Sequence, residues 1–453
     1  MKKLTLILLA LLSHFLPAQD IDKMEFSLEE AVSYALQHNY SVINSGRDLI
    51  DAQKQKWETI ATGLPQISGA VTYQNQLRQI QSQFPSILVP QQFLPPEVEQ
   101  GPETFVPIIF GETQTANAVI TLNQQIFDGS YIVGVQATKA FLEFSKNNKE
   151  KTDLEVRKAV IEAYGNVLLA KESAAILKKN IETLEKTLFE TKKIYENGLG
   201  DQESVDQLQI TLSSVNAQLN NATRLKKITQ QMLNLIMGRP IISEIKLTEN
   251  LTKLSEKQIG SGLIETEFNI ENNIDYKLVS NLNQQRFLEL KLAKSLALPR
   301  LNAFINYGGN SFSDEFNFLS RGQPWFEFSN LGVDLQIPIF SSLRRSASTQ
   351  RAKIAYEKAK TQLTETEQQI QLQLKNAKSE FSLAIDEYEN SKENLSLATR
   401  IERKNQIKYK EGIASSFELR QAQTQLYTTQ QEYLRSMVNI INRKADLELI
   451  INQ

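Results

Sequence analysis

Thiols and imidazoles, the side chains most used for nucleophilic and soft-metal chemistry, are almost missing from this sequence: there is no cysteine, and the two histidines are His14 and His38. Without thiols there is no disulfide framework, thiolate metal site, cysteine nucleophile or lipid-modified N-terminal cysteine. Gly198-Leu199-Gly200 lacks the Gly-Lys-Ser/Thr that completes a phosphate loop. Carboxylate pairs such as Glu29-Glu30 read as solvated helix surface, and Met24, Met232, Met237 and Met437 as packing, which disfavours a soft-metal cargo. We therefore expect no enzyme and no cofactor. Fifty basic and 52 acidic residues leave a net charge of −2, so no nucleic-acid partner is expected. Two other residue patterns recur: carboxamides alternating with apolar side chains, and glycines placed three positions after a tyrosine. Their chemistry is non-covalent, namely partition between lipid and water, hydrogen bonding and helix termination.

The alternation marks four short strands. In the fourth, Leu331, Val333, Leu335, Ile337 and Ile339 point one way and Asn330, Gly332, Asp334 and Gln336 the other. In the third, Leu301, Ala303, Ile305 and Tyr307 oppose Arg300, Asn302 and Asn306, with Phe304 as the exception. Ile67, Val71, Tyr73 and Leu77 oppose Ser68, Thr72, Gln74 and Gln76 in the first; Ala118, Ile120, Leu122 and Ile126 oppose Asn117, Thr121, Asn123 and Gln125 in the second. Period-two runs of this length, apolar on one face and polar on the other, are the signature of outer-membrane barrel strands. Tyr307, Trp325, Phe326 and Phe328 near strand ends are expected to form the membrane-interface belt, and Asn302, Asn306, Asn330, Asp334 and Gln336 to face the lumen. A soluble sheet with one wet face gives the same alternation; the company of an export signal and very long helices favours the barrel.

Long helices carry the rest of the pattern. Ile370, Leu374, Ala377, Phe381, Ala384, Tyr388, Ser391, Leu395 and Ala398 alternate four and three apart, the seam of a coiled coil. Val156, Val160, Ala163, Val167, Ala170, Ala174, Leu177, Ile181 and Leu184 repeat it in the first half of the chain, at the same offset that separates Gly198 from Gly412. The strands repeat too: Gly63-Leu64-Pro65 resembles Ala297-Leu298-Pro299, and Leu122 to Phe127 resembles Leu335 to Phe340. The chain is expected to be an internal duplication. Residues 20–240 form the first repeat (helix 24–62, strands 66–77 and 117–127, long helix 130–197, helix 201–237). Residues 241–271 link it to 272–453 (helix 272–297, strands 300–308 and 328–340, long helix 342–411, helix 415–451). Gly198 and Gly412 close the two helical hairpins by supplying left-handed backbone.

Residues 1–19 read as a secretory signal: Met1-Lys2-Lys3, an apolar run from Leu4 to Leu12, and a small residue at Ala18. His14 leaves with it. No later stretch reaches the apolar length of a membrane helix, so a membrane-embedded chain has to enter as β-structure. Four strands cannot close a barrel, and open edges in lipid leave backbone groups unpaired. Copies therefore pool strands: two give eight, three give twelve, and the wet inner face favours three.

The signal, the duplicated order, the Leu-Pro entries at Leu64-Pro65 and Leu298-Pro299, and the Tyr-x-x-Gly tips at Tyr195/Gly198 and Tyr409/Gly412 together resemble TolC-type outer-membrane efflux proteins, the outer-membrane factors of tripartite export systems. The resemblance covers nearly all of the chain beyond the signal. It implies an α+β membrane protein and a homotrimer whose four strands per chain form a shared 12-stranded β-barrel in outer-membrane lipid. Coiled-coil hairpins would continue that barrel as a periplasmic tunnel, with 241–271 as its equatorial segment. It also implies a periplasmic adaptor and an inner-membrane transporter as partners, with drugs, toxic compounds or polypeptides as cargo. At the tip, Tyr409 takes the place of the family's linking tyrosine and Glu418 that of an acidic ring residue. The second acidic position is Gln421, the first-repeat aspartate is Ser204, and the expected basic residue is Ala414. Three copies of Glu418 around a narrow mouth would raise one another's pKa and attract cations. The alternative is a secreted coiled-coil scaffold that conducts nothing.

Between the first two strands, Arg78 to Gln114 holds six of the 12 prolines together with Phe84, Phe93, Phe105 and Phe110. It is expected to be an ordered extracellular cap. The second loop is expected over Gly308 to Glu327.

Overall fold

The computed structural model describes residues 25–109, 111–259, 262–265 and 267–452. The expected export signal, Met24 and Phe110 lie outside them. The chain begins with β1 (Glu25–Phe26), α1 (Leu28–His38), α2 (Tyr40–Ala61), β2 (Gln66–Asn75), β3 (Gln81–Pro85), β4 (Phe105–Ile109) and β5 (Gln114–Asp128). Next come α3 (Gly129–Glu196), α4 (Gln202–Met237), β6 (Lys246–Leu247), α5 (Leu251–Ile259) and α6 (Ile274–Ser295). It ends with β7 (Arg300–Ser313), β8 (Phe326–Gln336), α7 (Arg344–Lys410) and α8 (Ser416–Ile451). Among the described residues no helix is long and apolar enough to cross a membrane.

Two compact units emerge, and neither coincides with a repeat. One comprises Met1–Ile50, Glu143–Leu282 and Lys360–Gln453, the other Asp51–Leu142 and Asn283–Ala359, so each draws on both halves of the chain.

The first unit is helical. Its core follows the four-three spacing: Val156, Val160, Ala163, Val167, Ala170, Leu177, Ile181 and Leu184 are buried on α3, as are Ile370, Ala377, Phe381, Ala384, Tyr388 and Ala398 on α7. The polar exception, Ser391, is satisfied by Ser436 Oγ at 2.7 Å and by the Tyr388 carbonyl. Tyr388 and Tyr433 stack beside that pair at 5.6 Å. The helices α3 and α7 are single uninterrupted elements. With a rise of about 1.5 Å per residue, each is roughly 100 Å long.

A single helix over 24–62 is not found. Ser27 starts α1 with a capping box to Glu30, which leaves Glu25 and Phe26 to pair in parallel with β6. Asn39 then breaks the helix in extended backbone. Its Oδ1 accepts from the Ser41 and Val42 amides and its Nδ2 donates to the Ile236 carbonyl at 2.7 Å. Asparagine offers the chain this local alternative to helix, which periodicity alone does not register. Residues 241–271 hold β6 and α5, whose Leu251 and Leu254 are buried.

In the second unit β2, β5, β7 and β8 form one antiparallel sheet in that order. The segment before β5 folds on itself: β3 pairs with β4, and Val89, Leu94 and Val106 make a small core beneath. β7 runs on to Ser313, so the second loop is shorter than expected. β8 stops at Gln336 instead of 340, because Pro338 has no N–H for the ladder.

Candidate functional site: a two-faced sheet and two hairpin tips

Directly paired residues share a face, so the register assigns every strand side chain. Ile67, Val71 and Tyr73 of β2 align with Leu122, Ala118 and Ala116 of β5. Leu122 and Ile120 align with Ile305 and Tyr307 of β7, and Ile305, Ala303 and Leu301 with Leu331, Val333 and Leu335 of β8. This apolar face is bare within the chain: Val71 is 81 % exposed, Leu331 77 % and Ile67 71 %. On the other face Asn302 sits opposite Asp334, Asn306 opposite Asn330, and Arg300 opposite Gln336. The five expected lumen residues thus lie on one surface. Asn117 Nδ2 donates to Asn310 Oδ1 across β5 and β7 on the same surface.

Two expectations are corrected by the register. Ile126 does not continue the apolar face of β5: a bulge lets Gln125 pair with Asn302 and Phe127 with Leu301, so Phe127 restores the face one residue later. The expected aromatic belt also splits. Tyr307 lies on the apolar face, and Trp325 packs over Gly309 on that side, its ring 3.3 Å from where a Cβ would stand. Phe328 pairs with Gly308 and Phe326 with Asn310, which puts both on the carboxamide face. Of the four aromatic residues, Tyr307 and Trp325 share the apolar face, and Phe326 and Phe328 do not. The exception in the third strand finds its reason here too. Phe304 lies across Gly332, where a Cβ would come within 2.2 Å of its ring, so its present rotamer uses the space that a side chain at 332 would fill.

The tips are built in the helical unit. α3 ends in a Schellman motif: the Leu199 amide donates to the Ile194 carbonyl at 3.1 Å, and the Gly198 amide to the Tyr195 carbonyl at 2.9 Å. Gly198 takes φ +74°. α7 ends likewise, Ile413 to Lys408 at 2.8 Å and Gly412 to Tyr409 at 3.1 Å, with Gly412 at φ +69°. Both tyrosines precede the stop, yet their side chains differ in use. Tyr195 is 40 % exposed, whereas the Tyr409 hydroxyl lies 2.9 Å from Thr191 Oγ1 and ties α7 to α3. Lys410 and Glu190 form an ion pair at 3.5 Å beside it.

The hairpins are joined a second time where α4 and α8 begin. Asp201 caps α4 by accepting from the Ser204 amide at 2.6 Å. The buried Ser204 hydroxyl stands 3.1 Å from Asp201 Oδ2 and 2.9 Å from Ser416 Oγ. α8 starts with a capping box: the Ser415 amide donates to Glu418 Oε2 at 2.8 Å, and the Glu418 amide to Ser415 Oγ at 3.2 Å. The Ser415 amide, then its hydroxyl, and after them Lys408 hold the Glu418 carboxyl below the usual carboxylate range. Within one chain the shift is thus opposite to that expected for a crowded acidic ring. Gln421 is exposed on the next turn.

A bare apolar sheet face, a carboxamide face and helical hairpins linked at their tips have counterparts among known proteins. The outer membrane efflux protein family matches residues 33–239 and 282–453. The chain belongs to that family. It is an outer-membrane protein, and its relatives are diverged. Outer membrane protein TolC of Vibrio cholerae is 23 % identical over 257 residues, 54 % of this chain and 56 % of that protein's length. The alkaline protease secretion protein AprF of Pseudomonas aeruginosa is 21 % identical over 356 residues, 74 % of this chain and 71 % of AprF. The crystal structure of the outer membrane protein VceC of Vibrio cholerae superposes with a TM-score of 0.71 at 16 % identity, covering 94 % of this chain and 96 % of VceC. The efflux protein shares the fold of VceC.

Sequence reasoning missed Thr191, Glu190, Lys410 and Ser416, the partners that join the hairpins. Helical spacing places Thr191 in line with Thr187 on a buried stripe, but which hairpin faces it is a tertiary fact.

Proposed function

We propose that three copies of this efflux protein pool their sheets into a 12-stranded barrel in the outer membrane. Their helical hairpins continue it as a periplasmic tunnel, a passive exit duct for small molecules or polypeptides. The observation that carries this is the sheet itself. It has a bare apolar face, a hydrogen-bonding face, and two open edges at β2 and β8. Lipid covers the first, water fills the second, and only another copy pairs the third. A periplasmic adaptor and an inner-membrane transporter supply docking and energy, as the family resemblance implies. The repeated order of elements is an ancient duplication, and the β3–β4 segment caps the extracellular mouth. Cross-linking in outer-membrane fractions together with single-channel recording tests the reading. A heat-labile trimer and ionic current are expected; a lone chain that stays in solution without detergent and carries no current is the scaffold result and overturns it.

The linked tips are the closed state of the duct. Thr191→Val combined with Tyr409→Phe removes the link between α3 and α7 in each copy, about 1 kcal/mol each, along with the Thr191 bond to the Thr187 carbonyl inside α3. Over three copies that shifts a closed–open equilibrium by roughly a hundredfold. Conductance at fixed voltage is expected to rise several-fold in the double variant. Unchanged conductance would dismiss Thr191 and Tyr409 as a latch.

Glu418 contributes acid sensitivity at the same mouth. A carboxyl held low by its cap stays ionised until the pH falls below the ordinary value, and its stabilisation of the α8 cap is lost only through that lower range. Block of the channel by a trivalent cation is therefore expected to persist into the ordinary carboxylate range and to weaken in Glu418→Gln. Block that fades already near pH 6 would mean that crowding between copies outweighs the cap.

A further inference from the structure

On the reading that the carboxamide face lines the lumen, we propose that this face is a binding track for uncharged amphipathic solutes that carry a flat apolar ring beside hydrogen-bonding groups. The register puts four phenylalanines there: Phe304, Phe312, Phe326 and Phe328. Phe312 and Phe326 lie 6.1 Å apart, tilted by 46°, and are 43 % and 59 % exposed. Phe328 sits opposite Gly308, and Phe304, lower on β7, opposite Gly332. Strand rise separates Gly308 from Phe304 by about 13 Å. The rings therefore stand at two levels, with Asn306 and Asn330 paired between them.

Moving any of these phenylalanines by one position would turn it to lipid, where a ring at the interface is at home. On the carboxamide face each ring instead exposes apolar area to water until a solute covers it. The groups around the rings are chiefly carboxamides, which donate and accept without charge. Arg300 is ion-paired with Asp128 at 3.4 Å, leaving Asp334 as the other charged residue that the strand pairing places on this face. Rings of like charge are how pores select ions. This surface instead offers ring faces for offset stacking and amides for hydroxyls, which suits neutral molecules with both.

The test uses the full-length protein in detergent and 4-fluorophenyl β-glucoside, followed by fluorine NMR line broadening against empty micelles. Wild type is expected to bind it, and Phe312→Ser with Phe326→Ser to weaken binding about fivefold. Phe312→Tyr with Phe326→Tyr keeps the rings and is expected to retain binding, which separates ring loss from misfolding. A fluorinated glucose without the phenyl ring and 4-fluorobenzoate are expected to broaden far less. Equal broadening by glucose, or by the serine variant, overturns the track. A conducting trimer without ring-dependent binding overturns the track alone. A lone, non-conducting chain that still binds through these rings overturns the duct and leaves the ring site standing.

Discussion

Replacing Val333 with lysine is expected to abolish membrane-inserted assembly. Val333 pairs with Ala303 in the middle of the bare apolar face and is 67 % exposed within the chain. A lysine facing the bilayer midplane of a barrel costs about 2–4 kcal/mol, and in the proposed three-copy barrel that amounts to roughly 6–12 kcal/mol per assembly. Asp334→Lys, one residue on, turns to the opposite face and is expected to insert normally. Outer-membrane fractionation followed by gel analysis of the unheated oligomer reads both variants. Normal insertion of Val333→Lys, or equal failure of the two, would remove the lipid assignment of that face.

The second large effect is expected at Gly238, which ends α4. Its backbone sits at φ +76°, in the left-handed region, and a Cβ there would stand 2.0 Å from the His38 carbonyl oxygen and 2.5 Å from its carbon. Those atoms are backbone, so no rotamer change relieves the clash. They also belong to the joint where α1 gives way to α2, held by Asn39 against Ile236. Gly238→Ala is expected to cost roughly 3 kcal/mol or more, from left-handed strain and from displacement of that joint. The thermal unfolding midpoint of the purified protein should fall by about 3 °C. A melting point indistinguishable from wild type would mean that the joint yields freely.

Much of this architecture is legible in the sequence because two periods write it: two for the strands, three and a half for the helices. Val160, Val167 and Leu184 are buried on α3, Phe381 and Ala384 on α7, as spacing demands. What spacing does not register is a single residue that shifts phase. The bulge at Ile126 moves the apolar role to Phe127, and Asn39 divides a helix that periodicity runs together. Phe326 and Phe328 illustrate a different limit. Their composition suits a membrane belt, but the period-two parity shared with Asn330 and Asp334 decides otherwise, and that parity was in the sequence to be used. At the tips the stop signals at Gly198 and Gly412 were visible. The hydroxyl contacts of Thr191 and Ser204 were not, since they depend on which hairpins meet.

The sheet register has a consequence for biogenesis. Gln114 pairs with Ser313, and Asp128 with Arg300, so β5 waits for strand partners synthesised only after α3, α4 and α6. Helical hairpins such as α3 and α4 can coil as soon as they leave the export pore, whereas ladders of such high contact order close slowly. During that delay β2 and β5 present oily ribbons with unpaired edges, the kind of segment that aggregates. Maturation of this efflux protein is therefore expected to depend on holdase chaperones in the envelope, and most acutely before β7 and β8 arrive.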